Sequence, residues 1–128
     1  MAAVHLVVAV ALVEYLFFGM AVGHARVKYG VHAPATAGHE HFERYYRVQM
    51  NTLEQLVAFI PAILMFAHYV SPAWATGLGV LFVLGRALYF RDYVRDPKKR
   101  GTGFGMSFLP TLILLAGAIF GAARALMA

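Results

Sequence analysis

The chain has 128 residues, 61% hydrophobic and only 13% charged, with a net charge of +5 and no cysteine. Soluble domains are nearer half apolar and a quarter charged, so the composition excludes an ordinary water-soluble enzyme and points to a membrane. Without cysteine there is no disulfide, no thiolate metal site and no protein thiol nucleophile, so any sulfur chemistry must arrive on a substrate.

The first apolar block, 1–22, is interrupted only by His5 and Glu14. No basic residue precedes it and it exceeds a usual signal-peptide core, so it reads as a membrane span rather than a cleavable leader. GHARVKYGVHAPATAGHEHFE follows, rich in Gly, Ala, Pro and His, and is expected to be a loop. The histidines of HEH at 39–41 are too close in sequence to wrap one ion, so no metal site is expected. The second span, about 45–70, opens on the polar run ERYYRVQMNTLE, and the short link HYVSPAW leads to the third, 72–95, whose apolar part to Phe90 carries only Arg86. RDYVRDPKKRGTG is expected to extend that helix past the bilayer edge until Pro97 ends it or opens the next segment. GTGFG at 101–105 has the glycines of a phosphate loop without its spacing or preceding strand, and reads as a flexible helix start. The fourth span, 103–127, carries only Arg124. A membrane crossing needs about 20 residues, and each block suffices. The expected fold is an all-α membrane protein, a four-transmembrane-helix bundle forming a single integral membrane domain over 1–128.

Arg26, Lys28, Arg44 and Arg47 fall around the first connection, and Arg86, Arg91, Arg95, Lys98, Lys99 and Arg100 around the third. The N-terminus and the second connection have no lysine or arginine. The positive-inside rule then puts the first and third connections on the cytoplasmic side and both termini away from it. The short chain, its Ala/Val content and the lack of a retention signal suggest a bacterial inner membrane. Lys98 and Lys99 are read mainly as headgroup anchors.

In ERYYRVQMNTLE, Arg44, Arg47, Asn51 and Glu54 are spaced 3, 4 and 3 apart, and at about 100° per residue they share a helix face. Arg86, Tyr89 and Tyr93 make a second polar face at the corresponding end of the third span. Charged groups at membrane depth are costly unless they meet protein, water or a partner. An internal salt bridge from Arg47 to Glu54, or a contact to Asn51, would answer for one stripe. Two stripes at one depth suggest instead a pocket for an anionic, peptide-like ligand, since arginine pairs with carboxylates while amides and carboxylates match peptide groups and an ammonium.

The run FERYYRVQMNTLEQL resembles the second-helix signature of the MAPEG family, membrane-associated proteins in eicosanoid and glutathione metabolism. Its E-R-x-x-R-x-x-x-N-x-x-E core stands here as Glu43, Arg44, Arg47, Asn51 and Glu54. RALYFRDYVRDPKKR resembles the family's third-helix motif as it occurs in the leukotriene-synthase branch, with Tyr89, Tyr93 and Arg100. The resemblance covers essentially the full length. It implies a homotrimer with glutathione bound between neighbouring subunits near the cytosolic face. Carried over by position, Arg47, Asn51, Glu54, Tyr89 and Tyr93 would contact glutathione, together with Gln49 and Arg26. Arg100 would stabilise its thiolate. Thr52, Gln55 and Val27 depart from the leukotriene-synthase branch and argue against that activity; the N-T-L-E segment is closer to general microsomal glutathione transferases.

The implied activity is a glutathione transferase in which Arg100 and Tyr93 hold the thiolate for attack on a lipophilic electrophile, with reduction of a lipid hydroperoxide as a further activity. Glutathione is the expected co-substrate, and membrane lipid the expected surroundings; nucleic acid is not an expected partner. Two other readings are a non-catalytic lipid-binding scaffold of the same family and a small proton-coupled multidrug transporter using Glu14. An arginine-rich pocket would repel the cationic drugs of the latter.

Overall fold

The computed structural model describes residues 1–128 as four helices and one short turn: α1 (Ala2–Tyr29), α2 (Glu40–Tyr69), α3 (Pro72–Arg95), a 3-10 turn (Pro97–Lys99) and α4 (Gly101–Met127). There is no strand, and four helical stretches are each long and apolar enough to cross a membrane. The expected all-α bundle is what the chain forms. Most large apolar side chains of α1 and α4 that point outward, such as Leu16, Met20, Ile119 and Phe120, are exposed in the isolated chain, as they should be on a surface that meets lipid or another helix.

The helices outrun the apolar blocks. α1 continues through GHARVKY, a stretch expected to be loop, and stops at Gly30, whose φ of 70° and ψ of 31° form a left-handed cap. The Val31 N–H then bonds the Arg26 carbonyl at 3.0 Å, closing the helix end. The extra turns hold because Val22 and Ala25 bury against Val31 and Phe42, and no proline intervenes before Gly30; Gly23 is carried within the helix. α2 begins at Glu40, with the His39 side chain accepting from His41 N–H and Glu40 and Glu43 in its first turn, where negative charge suits the helix dipole. Its 30 residues measure about 45 Å at 1.5 Å each, well beyond a hydrocarbon core of about 30 Å. The helix is therefore longer than a single perpendicular crossing requires.

The main core lies in the half of the bundle away from the first connection, where Val4, Val7, Leu56, Phe59, Ile63, Phe82 and Leu114 pack together. Phe59 of α2 and Phe82 of α3 stack there at 3.8 Å. In the other half α3 and α4 approach closely through glycine. A Cβ on Gly85 would meet the Ser107 nitrogen at 2.7 Å, and one on Gly103 would meet the Tyr89 nitrogen at 2.4 Å. Helices in lipid associate by such close backbone approach, there being little hydrophobic force between them. This contact sets Tyr89 directly against the start of α4.

Candidate functional site

Between the start of α2, the end of α3 and the start of α4 lies a cleft of about 550 Å³, lined by Arg47, Asn51, Tyr89, Tyr93, Arg100 and Phe104. It opens at the end of the bundle that carries the first and third connections. The two polar faces read from the sequence thus converge on one space. The cleft wall combines two guanidinium groups, an amide and two phenols. Its floor is aromatic: Tyr89 is buried with Phe18 and Val48, and Phe90, Tyr93 and Phe104 pack against them. The Tyr89 and Tyr93 rings lie 5.4 Å apart, tilted by 38°.

Arg100 follows the 3-10 turn, and its Nη1 donates to the Pro97 carbonyl at 2.8 Å. Asp96 accepts from the Lys98 N–H at 3.1 Å and fixes the turn itself. The sharp stop at Asp96–Pro97 is what brings Arg100 back over the cleft. A continuous helix from α3 would have carried that residue away.

Arg47 sits on the rim with its Nη2 3.7 Å from Glu54 Oε1, and both side chains are about half exposed, at 53% and 56%. The internal salt bridge considered for the stripe therefore exists. At that distance and exposure it adds at most about 1 kcal/mol, so it leaves Arg47 available to another anion. Arg44, on the same face, does something else. Its Nη1 donates to the carbonyls of Val94 and Arg95 at 3.2 and 3.0 Å, and its Nη2 pairs with Glu40. Those carbonyls are the unsatisfied end of α3, so Arg44 caps α3 and does not line the cleft.

Three expected ligand residues do not line the cleft: Arg26, Gln49 and Glu54. Arg26, near the end of α1, donates to the Ala35 carbonyl at 2.7 Å and lies over the Phe42 ring at 4.8 Å. Gln49 packs against α1, where a methyl group on Gly19 would sit 2.9 Å from its Nε2. Neither lines the cleft within one chain. Glu54 reaches it only through Arg47.

Behind Asn51 is a group whose surroundings the sequence did not reveal. Arg86 is 0% exposed. It donates from Nη1 to Asn51 Oδ1 at 2.7 Å, and from Nε and Nη2 to Ser107 Oγ at 3.0 and 2.6 Å. Ser107 was not singled out by the sequence pattern. The one available signal was that a lone arginine deep in a span demands oxygens from its neighbours. On α1, Glu14 has one buried carboxyl oxygen without a hydrogen-bond partner. No group of three or more His, Asp or Glu side chains comes together in a way that could hold a metal ion.

Comparison with known proteins agrees with this architecture. The sequence model of the MAPEG family matches residues 4–120. An uncharacterized protein of Synechocystis sp. is 47% identical over 89% of this chain and 83% of its own length. Human microsomal glutathione S-transferase 2 is 41% identical over 80% of this chain and 71% of its own. Mouse leukotriene C4 synthase is 30% identical over 82% and 70% respectively. With four membrane-capable helices and a match along nearly its whole length, the chain belongs to the MAPEG family of integral, multi-pass membrane proteins.

Proposed function

We propose that this protein is a membrane glutathione transferase that binds glutathione in the cleft and holds its sulfur as a thiolate for attack on electrophiles dissolved in the bilayer. The observation that carries the reading is the convergence of Arg47 and Asn51 from α2, Tyr89 and Tyr93 from α3, and Arg100 from the turn before α4 on one space. Relatives named microsomal glutathione S-transferase 2 and leukotriene C4 synthase support it. Glutathione brings two carboxylates, an ammonium, two peptide groups and a thiol. Arg47 matches a carboxylate, Glu54 the ammonium, and Asn51 a carbonyl or carboxylate. The phenols of Tyr89 and Tyr93 supply donors.

A cysteine-type thiol has a pKa of about 8.5 and is only slightly ionised at neutral pH. A guanidinium beside the sulfur favours the anion, and each unit of lowering corresponds to about 1.4 kcal/mol. Arg100 takes that role, and Tyr93 adds a hydrogen bond to the same sulfur. The thiolate then bonds to the electrophilic carbon and the leaving group departs, giving a thioether. As a second activity the same ionised sulfur attacks the outer peroxide oxygen of a lipid hydroperoxide; the O–O bond breaks, the lipid leaves as its alcohol, and a second glutathione converts the sulfenic acid formed on the first to glutathione disulfide and water. Holding both reactants at the bilayer rim supplies much of the acceleration.

Arg26 and Gln49 enter this scheme from a neighbouring copy in a homotrimer, which closes the open side of the cleft. The basic ends of the bundle then face the cytoplasm of a bacterial inner membrane. The test is purified protein with glutathione and chlorodinitrobenzene, beside calorimetry with glutathione alone. Conjugation and saturable binding are expected; glutathione binding with no conjugation of any electrophile, or no binding at all, contradicts the reading. The absence of binding would point to a lipid-binding scaffold.

A further inference from the structure

We propose that Arg86 is a positioning residue: from inside the bundle it fixes the Asn51 amide and the Tyr89 ring so that the cleft offers bound glutathione a pair of N–H donors in one set direction. The inference rests on reading the cleft as a glutathione site.

A buried guanidinium in a membrane span requires a partner for its charge. Arg86 has no carboxylate within salt-bridge distance; its partners are neutral oxygens and a ring. Ser107 Oγ receives two of its N–H groups, and that oxygen is held in turn by the Gly103 and Phe104 carbonyls at 3.0 Å each. The guanidinium plane is thereby tied to the backbone of α4. Its Nη1 reaches across to α2, to Asn51 Oδ1 at 2.7 Å and to Thr52 Oγ1 at 3.4 Å. The guanidinium carbon stands 4.3 Å from the centre of the Tyr89 ring, within cation–π range.

The chemistry leaves Asn51 one orientation. Arginine has five donors and no acceptor, so an amide facing it must present oxygen. The Asn51 NH2 group is then free of Arg86, and Asn51 lines the cleft. Without Arg86 the amide could rotate and present its oxygen, which would repel a carboxylate or peptide carbonyl. Ser107, Arg86 and Asn51 therefore form one chain of hydrogen bonds from α4 through α3 to α2, ending in a donor pair at the ligand. A full arginine in the core, where an apolar residue would pack at lower cost, is explained by this task.

A double-substitution cycle tests it. Glutathione Kd by calorimetry, and KM and kcat for conjugation, are measured for the unmodified protein, Arg86→Met, Asn51→Ala and the pair together, with melting temperature in detergent recorded for each. Each single substitution is expected to raise Kd and KM for glutathione about ten-fold or more, with kcat at saturating glutathione changed little. The pair is expected to lose far less than the product of the singles, because Arg86 acts through Asn51. Arg86→Gln keeps an N–H for Asn51 and is expected to fall between the unmodified protein and Arg86→Met; it replaces the latter in the cycle if that variant does not fold. Independent, multiplying effects, or a lowered melting temperature with unchanged Kd, overturn the role of Arg86 alone. Failure of the unmodified protein to bind glutathione overturns the reading of the cleft, and the role with it.

Discussion

Arg100 and Arg47 both line the cleft, yet their surroundings differ. Arg100 is held by the Pro97 carbonyl at the head of a fixed turn, which suits a charge that must sit still beside a reacting atom. Arg47 is half exposed and loosely paired with Glu54, which suits a group that captures a carboxylate. Arg100→Ala is accordingly expected to lower kcat for conjugation about a hundred-fold while glutathione Kd changes by only a few-fold, because a charge acting on the developing or ionised sulfur contributes mainly to the chemical step. Steady-state kinetics beside calorimetry checks this; an unchanged kcat, or a loss confined to Kd, contradicts it. The placement of these side chains was partly legible in the sequence. The 3-and-4 spacing of Arg44, Arg47, Asn51 and Glu54 announced a face, but capping by Arg44 could not be read without knowing that α3 ends at Arg95 and leaves two carbonyls within its reach. Arg86 was visible as an arginine in a span, whereas its attachment to Ser107 depends on the register between α3 and α4, which no local pattern encodes.

At the scale of elements, the cleft depends on how closely α4 lies against α3. Gly103 makes that approach possible: a Cβ there would fall 2.4 and 2.5 Å from the nitrogen and Cα of Tyr89. Backbone cannot rotate aside as a flexible side chain can, so Gly103→Ala must separate the helices or move Tyr89. Overpacking of this kind costs about 1–3 kcal/mol, and here it also breaks the seating of Ser107 under Arg86. The expected outcome is a lower melting temperature together with at least ten-fold weaker glutathione binding. Gly105, two residues on, has open space at its Cβ position, so Gly105→Ala is expected to leave both properties unchanged. Equal behaviour of the two variants by thermal melting and calorimetry contradicts the account. Helix type and order were legible because four apolar blocks with polar breaks leave few alternatives. The ends were not: α1 ran on to Gly30 and α2 began at Glu40 because tertiary contacts around Phe42 and a histidine cap extended them past the apolar stretch.

Across the whole molecule, the cleft, the first and third connections and most of the basic residues share one end of the bundle, while the short link at 70–71 and both termini lie at the other. If that basic end faces the cytoplasm, glutathione enters from the compartment that makes it and electrophiles enter sideways from lipid. The chain has no cysteine, so single introduced cysteines report topology without background. Ala37→Cys in the first connection is expected to resist a membrane-impermeant maleimide in intact cells or spheroplasts, and Ala73→Cys beside the second connection to react; the reverse pattern inverts the orientation. Arg26 and Gln49 belong to this scale too: neither lines the cleft within one chain, so the role proposed for them depends on the proposed trimer, and a single chain's sequence carries no register for a boundary between copies.

The central claim is that the cleft ionises the sulfur of bound glutathione, and the most direct measurement is the ultraviolet thiolate absorbance of the glutathione-loaded protein titrated with pH, beside the Arg100→Met variant. The account predicts a thiolate signal at neutral pH with a midpoint at least about one unit below the ordinary thiol value of about 8.5, shifted back toward that value in the variant. A saturated protein whose bound thiol titrates like free thiol, or a variant with the same midpoint as the unmodified protein, would contradict it.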